Sequence, residues 1–491
     1  MLAWYRIIGF LFILGGCHSK VQYPFSALPS LTQAQMYEDY DSLVSIIQEV
    51  NPQLAVRKEV TGLDILHKLS KLRLEVDGST TQQFYDIIRQ ALTLCQDGHA
   101  GVLPSFYFTA DAEAIRVAYP DSLKEEAIHG TKIYSAYLDS LQDLKQLNLP
   151  IQYIDGKYRV ARDFDYQDQT IRADTEIIQC NSQEIHRFVQ SLTNQLSLRW
   201  DYESEQFYHE NFLSAHNLIL DRYVTLTFRE KDGNKFKQKF DLYDSLLVAP
   251  KGEKQKEVCF FDNSQTLYIR VPVMNIQDTS FYINEISRYK NYSINKVVVD
   301  IRDNRGGSDL VGEQIIELLI DEWFYAEIIL LARLSPIVAD RLQQDLSIAE
   351  VIQVPSLDSA EYWKIGHFYK NVFPRPESIR HSGSIYILQN ENIFSAAGTL
   401  AAYAEYNDQI ISAGHPTGKL LGKGTTPFIF QLPNSQLLFR IEPLIDYSGV
   451  ENAKDMFHDT VEMPLSRSSD SVEIDRVEND PMLEAIFYSK N

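Results

Sequence analysis

Apolar positions along this 491-residue chain fall into two regimes: helical spacing first, then short strands alternating with helices. Near 33–49, Leu43, Ile46 and Ile47 recur at helical intervals; near 63–76, Leu63, Ile65, Leu66, Leu69 and Leu72 do the same. A third helix is predicted from Thr80, because Thr80-x-x-Gln83 can exchange side-chain and backbone hydrogen bonds across a first turn. It puts Phe84, Ile87, Ile88, Ala91 and Cys95 on one face, with Gly98 of Asp97-Gly98-His99 as the expected stop. Residues 106–148 are charged and helical in texture. From Gln152 the pattern shortens to strands at 158–161 and 176–181, a helix carrying Ile185, Phe188, Val189 and Leu192, and strands at 223–228 and 236–240 around a Gly233 hairpin turn. From 258 to about 465, strands at 267–271, 297–300, 384–388, 409–412, 428–432 and 437–441 alternate with helical stretches, the mark of an α/β layer. Residues 330–380 read as an insertion in that layer, and no internal repeat is present.

Composition narrows the class. An apolar fraction of 44% and an aromatic fraction of 12% suit a chain with two or three full cores. The net charge of −21, with no run of Lys and Arg, argues against nucleic acid or an anionic membrane surface as partner. At the N-terminus, Arg6 precedes an apolar run, 7–14, too short to span a bilayer and suited to a secretory signal peptide. That run ends in Leu14-Gly15-Gly16-Cys17, which resembles a bacterial lipobox, so Cys17 is expected to carry lipid and become the mature N-terminus. His18-Ser19 after it lacks the aspartate of an inner-membrane retention signal, which points to the outer membrane. Cys95, Cys180 and Cys259 form no C-x-x-C pair and are odd in number; the apolar neighbours of Cys95 and Cys259 suggest buried thiols. No zinc-ligand spacing occurs, so no metal and no cofactor are expected.

Two strand-to-helix turns could carry chemistry. In the first, Val297–Val299 stops at Asp300-x-Arg302-x-Asn304-x-Gly306-Gly307, followed by an amphipathic stretch with Leu310, Ile315, Ile316, Leu318 and Leu319. Paired glycines allow positive φ and leave an N–H unobstructed toward a reacting group, while Asp300, Arg302 and Asn304 could lock the turn by hydrogen bonds. In the second, a strand at 385–388 leads through Gln389 to Asn392 into Phe394-Ser395-Ala396-Ala397 and an Ala/Leu helix. Ser395 at a helix start is a good nucleophile position, but on position alone a simple helix cap is the stronger reading.

These residues resemble the tail-specific, or C-terminal-processing, serine protease family. That family carries the Asp-x-Arg-x-Asn-x-Gly-Gly loop, and its nucleophile lies downstream in (T/N)-x-x-S-A-(S/A)-E, which Phe394-Ser395-Ala396-Ala397 matches, with Gly398 in place of Glu. The resemblance implies Ser395 as nucleophile and the N–H groups of Gly307 and Ala396, with Gly306 beside them, as the oxyanion hole. Two sub-patterns supply the base. Thr417-Gly418-Lys419 is similar to the T-x-G-K of a Ser–Lys dyad, one residue shorter, and would make Lys419 the base. Asp97-Gly98-His99-Ala100 is similar to the D-G-H-(T/S) of the tricorn-like branch and would make His99 the base, oriented by a distant glutamate for which Glu451 is the candidate. That branch's G-E-P-T-G-G and L-P-N-S-G-L are similar to 414–419, with His415 for Glu and Lys419 for Gly, and to 432–437. Thr175 to Ile185 resembles the core of a PDZ domain, a holder of extended peptide, with Thr175 and Ser182 replacing glycines. Asn479 to Ile486 is similar to the family's terminal D-P-Q-L-E-x-A helix.

The implied fold is α+β and α/β in several domains, with a crotonase-like ββα protease core. Its expected layout is a signal peptide (1–17), a tether (18–30), a helical domain (31–105), an insertion with a PDZ-like module (106–257), the core (258–466) and a C-terminal helix and tail (467–491). The expected function is a lipid-anchored serine endopeptidase of the cell envelope, acting on protein or peptide and needing no cofactor. The alternative, motivated by Gly398, His415 and Lys419, is an inactive protease-fold lipoprotein that binds peptide or a small ligand.

Overall fold

The computed structural model describes residues 29–104, 125–143, 149–213, 223–242, 244, 255–355, 357, 361–417, 427–456, 461–465 and 480–489. The chain opens with helices α1 (Gln33–Val50), α2 (Leu54–Thr61), α3 (Ile65–Leu72) and α4 (Thr81–Thr93). Both capping boxes form: Thr32 with Gln35 on α1 and Thr80 with Gln83 on α4. Their apolar faces, among them Leu43, Ile47, Leu69, Phe84 and Ile88, make one core. The α4 stop is not Gly98. The chain turns at Gln96, with φ +53, and Gly98 is small for another reason, given below.

Beyond the short strand β1 (Gly101–Val102) and helix α5 (Glu125–Asp143) comes a β-rich unit. It holds β2 (Ile151–Ile154), β3 (Lys157–Val160), β4 (Glu176–Cys180), helix α6 (Ile185–Ser191), the hairpin β5 (Arg199–Asp201) and β6 (Gln206–Tyr208), then β7 (Tyr223–Arg229) and β8 (Lys235–Asp241). The main sheet runs β8-β7-β4-β3-β2, antiparallel throughout. Gly233 turns the β7–β8 hairpin at φ +91.

The second half is built on β9 (Glu257–Phe261), β10 (Thr266–Arg270), α7 (Thr279–Ser287), β11 (Lys296–Asp300), α8 (Asp309–Leu319), β12 (Phe324–Arg333), β13 (Glu361–Val372), β14 (Ser384–Gln389), α9 (Ala396–Ala401) and β15 (Ile410–Gly414). It ends with β16 (Phe428–Gln431), β17 (Leu438–Ile441), β18 (Leu444–Asp446), β19 (Met463–Pro464) and α10 (Pro481–Phe487). One sheet runs β9-β10-β11-β14-β15-β19, parallel from β10 onward. Its register aligns Arg270, Asp300, Leu388 and Ala413. The carboxyl ends of β11, β14 and β15 therefore lie side by side, where open parallel sheets collect ligands. Side-chain alternation splits each strand between two cores. Val297 and Val299 face helices α7, α8 and α9, whereas Val298, Tyr268 and Tyr386 face Leu483 and Ile486 of α10.

One expectation changes. Strands β16 and β17 do not join the parallel layer; they pair with β1 of the N-terminal region in the order β1-β17-β16, tying the two halves together. Residues 330–380 carry most of β12 and β13, a long antiparallel pair in a sheet separate from the parallel one, and β18 closes on β12. Cys95 and Cys180 are buried, which pushes both thiols up to about 12, and neither they nor Cys259 form a disulfide.

Candidate active site

The turn after β11 is fixed from within. Asn304, fully buried, donates from Nδ2 to the Val271 carbonyl at 2.7 Å and accepts from the Gly306 N–H at 2.8 Å. Its own carbonyl accepts from the Phe394 N–H at 3.0 Å, so one asparagine joins the exit of β10, the glycine turn and the turn after β14. Asp300 is buried and grips Arg302 at 2.6 and 2.9 Å, while Tyr268 donates to it at 2.8 Å. Burial alone would raise the Asp300 carboxyl, but the Arg302 guanidinium beside it holds it below its ordinary value. A second lock joins Asp303 to the other turn: its N–H donates to Asn390 at 2.9 Å, and its carboxylate accepts from Asn390 and Asn392 at 2.9 and 2.7 Å.

The glycines are required by contact. Gly306, at φ +96, is so close to the second turn that a Cβ there would meet the Phe394 carbonyl and Ser395 Cβ at 2.7 Å and the Ala396 nitrogen at 3.0 Å. Gly307, at φ +139, leaves no room for a Cβ against the Met274 carbonyl. The two turns, which are far apart in sequence, are in van der Waals contact at Ser395.

Ser395 precedes α9 at φ +55 and ψ −128, a conformation costly for a residue with a side chain. Its hydroxyl makes no capping hydrogen bond, so a serine cap does not account for it. Among the described residues, neither the Gly307 N–H nor the Ala396 N–H has an acceptor.

His99 reaches this place from the exit of α4. Asp97 accepts from its N–H at 2.9 Å, and its ring packs edge-on against Phe394 with centroids 4.8 Å apart. That ring explains Gly98, where a Cβ would lie 2.6 Å from it. Nδ1 of His99 faces Oε2 of Glu442 at 3.1 Å, both side chains buried. This leaves Nε2 for other work; among the described residues it forms no bond with the Ser395 hydroxyl. The carboxylate comes from strand pairing: β1 and β17 align Gly101 with Arg440 and Val102 with Phe439, and the same register carried backward sets His99 opposite Glu442. Arg440 adds a bond to the Gly98 carbonyl at 3.1 Å.

Glu442 replaces Glu451 in that place. Glu451 is exposed in a turn where its N–H donates to Asp455 at 3.0 Å. The signal for Glu442 was a single acid inside the apolar run 437–445, on a strand pairing with the segment just beyond His99. Lys419 and Cys17 lie outside the described residues. His415 is half-buried beside β14, its N–H on the Gln389 carbonyl at 3.3 Å, and Gly398 is buried within α9.

The β-rich unit also touches the site. Arg199, at the start of β5 and buried, bonds the Asn392 side chain and lies 3.9 Å from Glu391, on the turn that leads to Ser395.

The carboxyl ends of the parallel sheet thus hold a strained serine beside bare glycine amides, and the β1–β17 pairing brings a buried His–carboxylate pair against Phe394. Residues 265–455 match the model for Peptidase family S41, so this stretch of the chain is similar to that family. No curated protein matches the chain. Among solved structures, a serine-to-alanine mutant of CPAF is similar with a TM-score of 0.54 at 12% identity, covering 94% of this chain and 99% of that one. Mature CPAF complexed with lactacystin gives 0.53 at 12% identity, over 88% and 94%. A putative peptidase from Parabacteroides merdae gives 0.45 at 13% identity, over 93% and 98%. At these identities the likeness is one of fold: a mixed α+β chain of several domains.

Proposed function

We propose that this chain is a serine endopeptidase of the C-terminal-processing type, acting on unfolded or tail-exposed proteins. The observation that carries the reading is Ser395: a strained, non-capping serine pressed against Gly306, with His99, paired to Glu442, packed edge-on against its neighbour Phe394. In the proposed reaction the Ser395 Oγ attacks a substrate carbonyl and His99 Nε2 takes its proton. Glu442 holds the proton of Nδ1, fixing the tautomer and favouring the imidazolium that forms. The N–H groups of Gly307 and Ala396 receive the oxyanion. His99 then protonates the leaving amine, and water, deprotonated by the same ring, releases the acyl group. Lys419 is the second candidate for the base.

The β-rich unit serves, on this reading, as a PDZ-like holder of extended peptide at a sheet edge. The Cys17 lipid would tether the enzyme to the bacterial envelope, outer membrane included. Digestion of a reduced, carboxymethylated protein beside its native form is the test. The wild-type chain should cleave the unfolded form, and Ser395→Ala and His99→Ala should not. Equal cleavage by all three, or none by any, would favour a binding protein that retains the fold.

A further inference from the structure

The last described helix, α10, is gripped at both ends by the segment that carries the glycine turn. At its start, Asp480 accepts from the Met482 N–H through Oδ1 at 2.9 Å and offers Oδ2 to Arg302 Nη2 at 2.6 Å. Nη2 also meets Asp300 at 2.6 Å, so one guanidinium is shared between two buried carboxylates. At its end, Lys296, the first residue of β11, donates to the carbonyls of Ile486, Phe487 and Ser489 at 2.8, 3.2 and 2.6 Å and to the Ser489 hydroxyl at 2.9 Å. Between these grips, Leu483 and Ile486 fill the second face of the sheet against Tyr268, Val298 and Tyr386.

Apolar packing alone would seat such a helix, and buried ion pairs add little stability over hydrophobic residues of like size. What they do supply is a fixed geometry. Arg302 is two residues from Asn304 and four from Gly306, and among the described residues its donors meet Asp300 and Asp480, with Met482 Sδ 3.8 Å from Nη1. We infer that Asp480 is a positioning residue for the reaction proposed above: through Arg302 and Asp300 the C-terminal helix holds the 301–307 turn in contact with Ser395. The chain's own tail then sets the shape of the oxyanion site, although it touches no substrate. The inference rests on the peptidase reading.

The test compares kcat, KM and melting temperature on an unfolded-protein or peptide reporter for wild type, Asp480→Asn, Arg302→Lys and Leu483→Ala, with Ser395→Ala alongside. Asp480→Asn keeps shape and removes the charge; Arg302→Lys keeps charge and removes the fork, and covers the case where Asp480→Asn fails to fold. Both should lower kcat by about 10- to 100-fold with KM within about twofold, the signature of a lost transition-state contact. Leu483→Ala, which opens a cavity under the same helix, should lower the melting temperature at least as much yet keep kcat within about threefold while folded. If kcat in the charge variants follows the melting temperature as it does in Leu483→Ala, or stays at the wild-type value while Ser395→Ala is dead, Asp480 is structural only and the peptidase reading stands. If wild type and Ser395→Ala turn over equally, the peptidase reading itself falls, and this inference with it.

Discussion

Gly306→Ala is the sharpest perturbation available. A Cβ built on Gly306 lies 2.7 Å from the Phe394 carbonyl, 2.7 Å from Ser395 Cβ and 3.0 Å from the Ala396 nitrogen, and none of these is the far end of a flexible side chain. An ordinary contact needs 3.4 Å or more, so one turn has to retreat from the other by several tenths of an ångström. The backbone at φ +96 adds strain of about 1–2 kcal/mol for an L-residue, and the crowding about 1–3 kcal/mol more. Gly233→Ala separates the two effects: its φ is +91, but nothing lies within 4 Å of the added carbon. Melting curves should therefore show Gly233→Ala down by the strain alone and Gly306→Ala by more. In turnover of an unfolded substrate, below both melting transitions, Gly233→Ala should match wild type. Gly306→Ala should lose roughly 100-fold, since a displacement approaching 1 Å at a reacting centre costs about that much. Gly306→Ala with activity within threefold of wild type would refute the argument that this contact sets the site.

Three further outcomes are expected. His99→Ala should lower kcat by about 10²–10⁴-fold, and Glu442→Gln, which removes the charge and upsets the tautomer, should also cost at least about 10²-fold, whereas Glu451→Gln should leave kcat/KM unchanged. Arg199→Met detaches the β-rich unit from Asn392 and Glu391, so it should reduce turnover about 3- to 30-fold while circular dichroism stays native. In acid, Asp300 binds its proton less readily folded than unfolded, so the stability it contributes is present above its ordinary value of 3.8 and fades as pH falls through the lower folded value. A melting series from pH 6 to pH 2.5 should therefore fall steeply in wild type and less steeply in Asp300→Asn.

Much of the fold could be read because its signals are local. The capping box at Thr80, the β-branched run before Asp300 and the Gly233 hairpin each act within a few residues, and each appears where the periodicity put it. The same locality explains the misreadings. Gly98 looked like a helix stop because glycine usually is one, whereas its real constraint, the Phe394 ring, arrives from almost 300 residues away. Strands at 428–431 and 438–441 had strand composition, but their partner at 101–102 belongs to the N-terminal region, and no pattern in either segment names the other. Glu442 is illegible for the same reason: its partner is assigned by strand register, not by any local motif. The contact between the Gly306 turn and Ser395 was legible through the family resemblance alone, since composition and spacing carry nothing about which strands of a sheet become neighbours.

The most direct measurement is intact-mass analysis after treatment with a serine-reactive fluorophosphonate, followed by peptide mapping. One adduct per chain is expected, on Ser395, absent in Ser395→Ala and formed much more slowly in His99→Ala. No adduct on the folded wild-type chain, or equal labelling of wild type and Ser395→Ala, would contradict the peptidase reading.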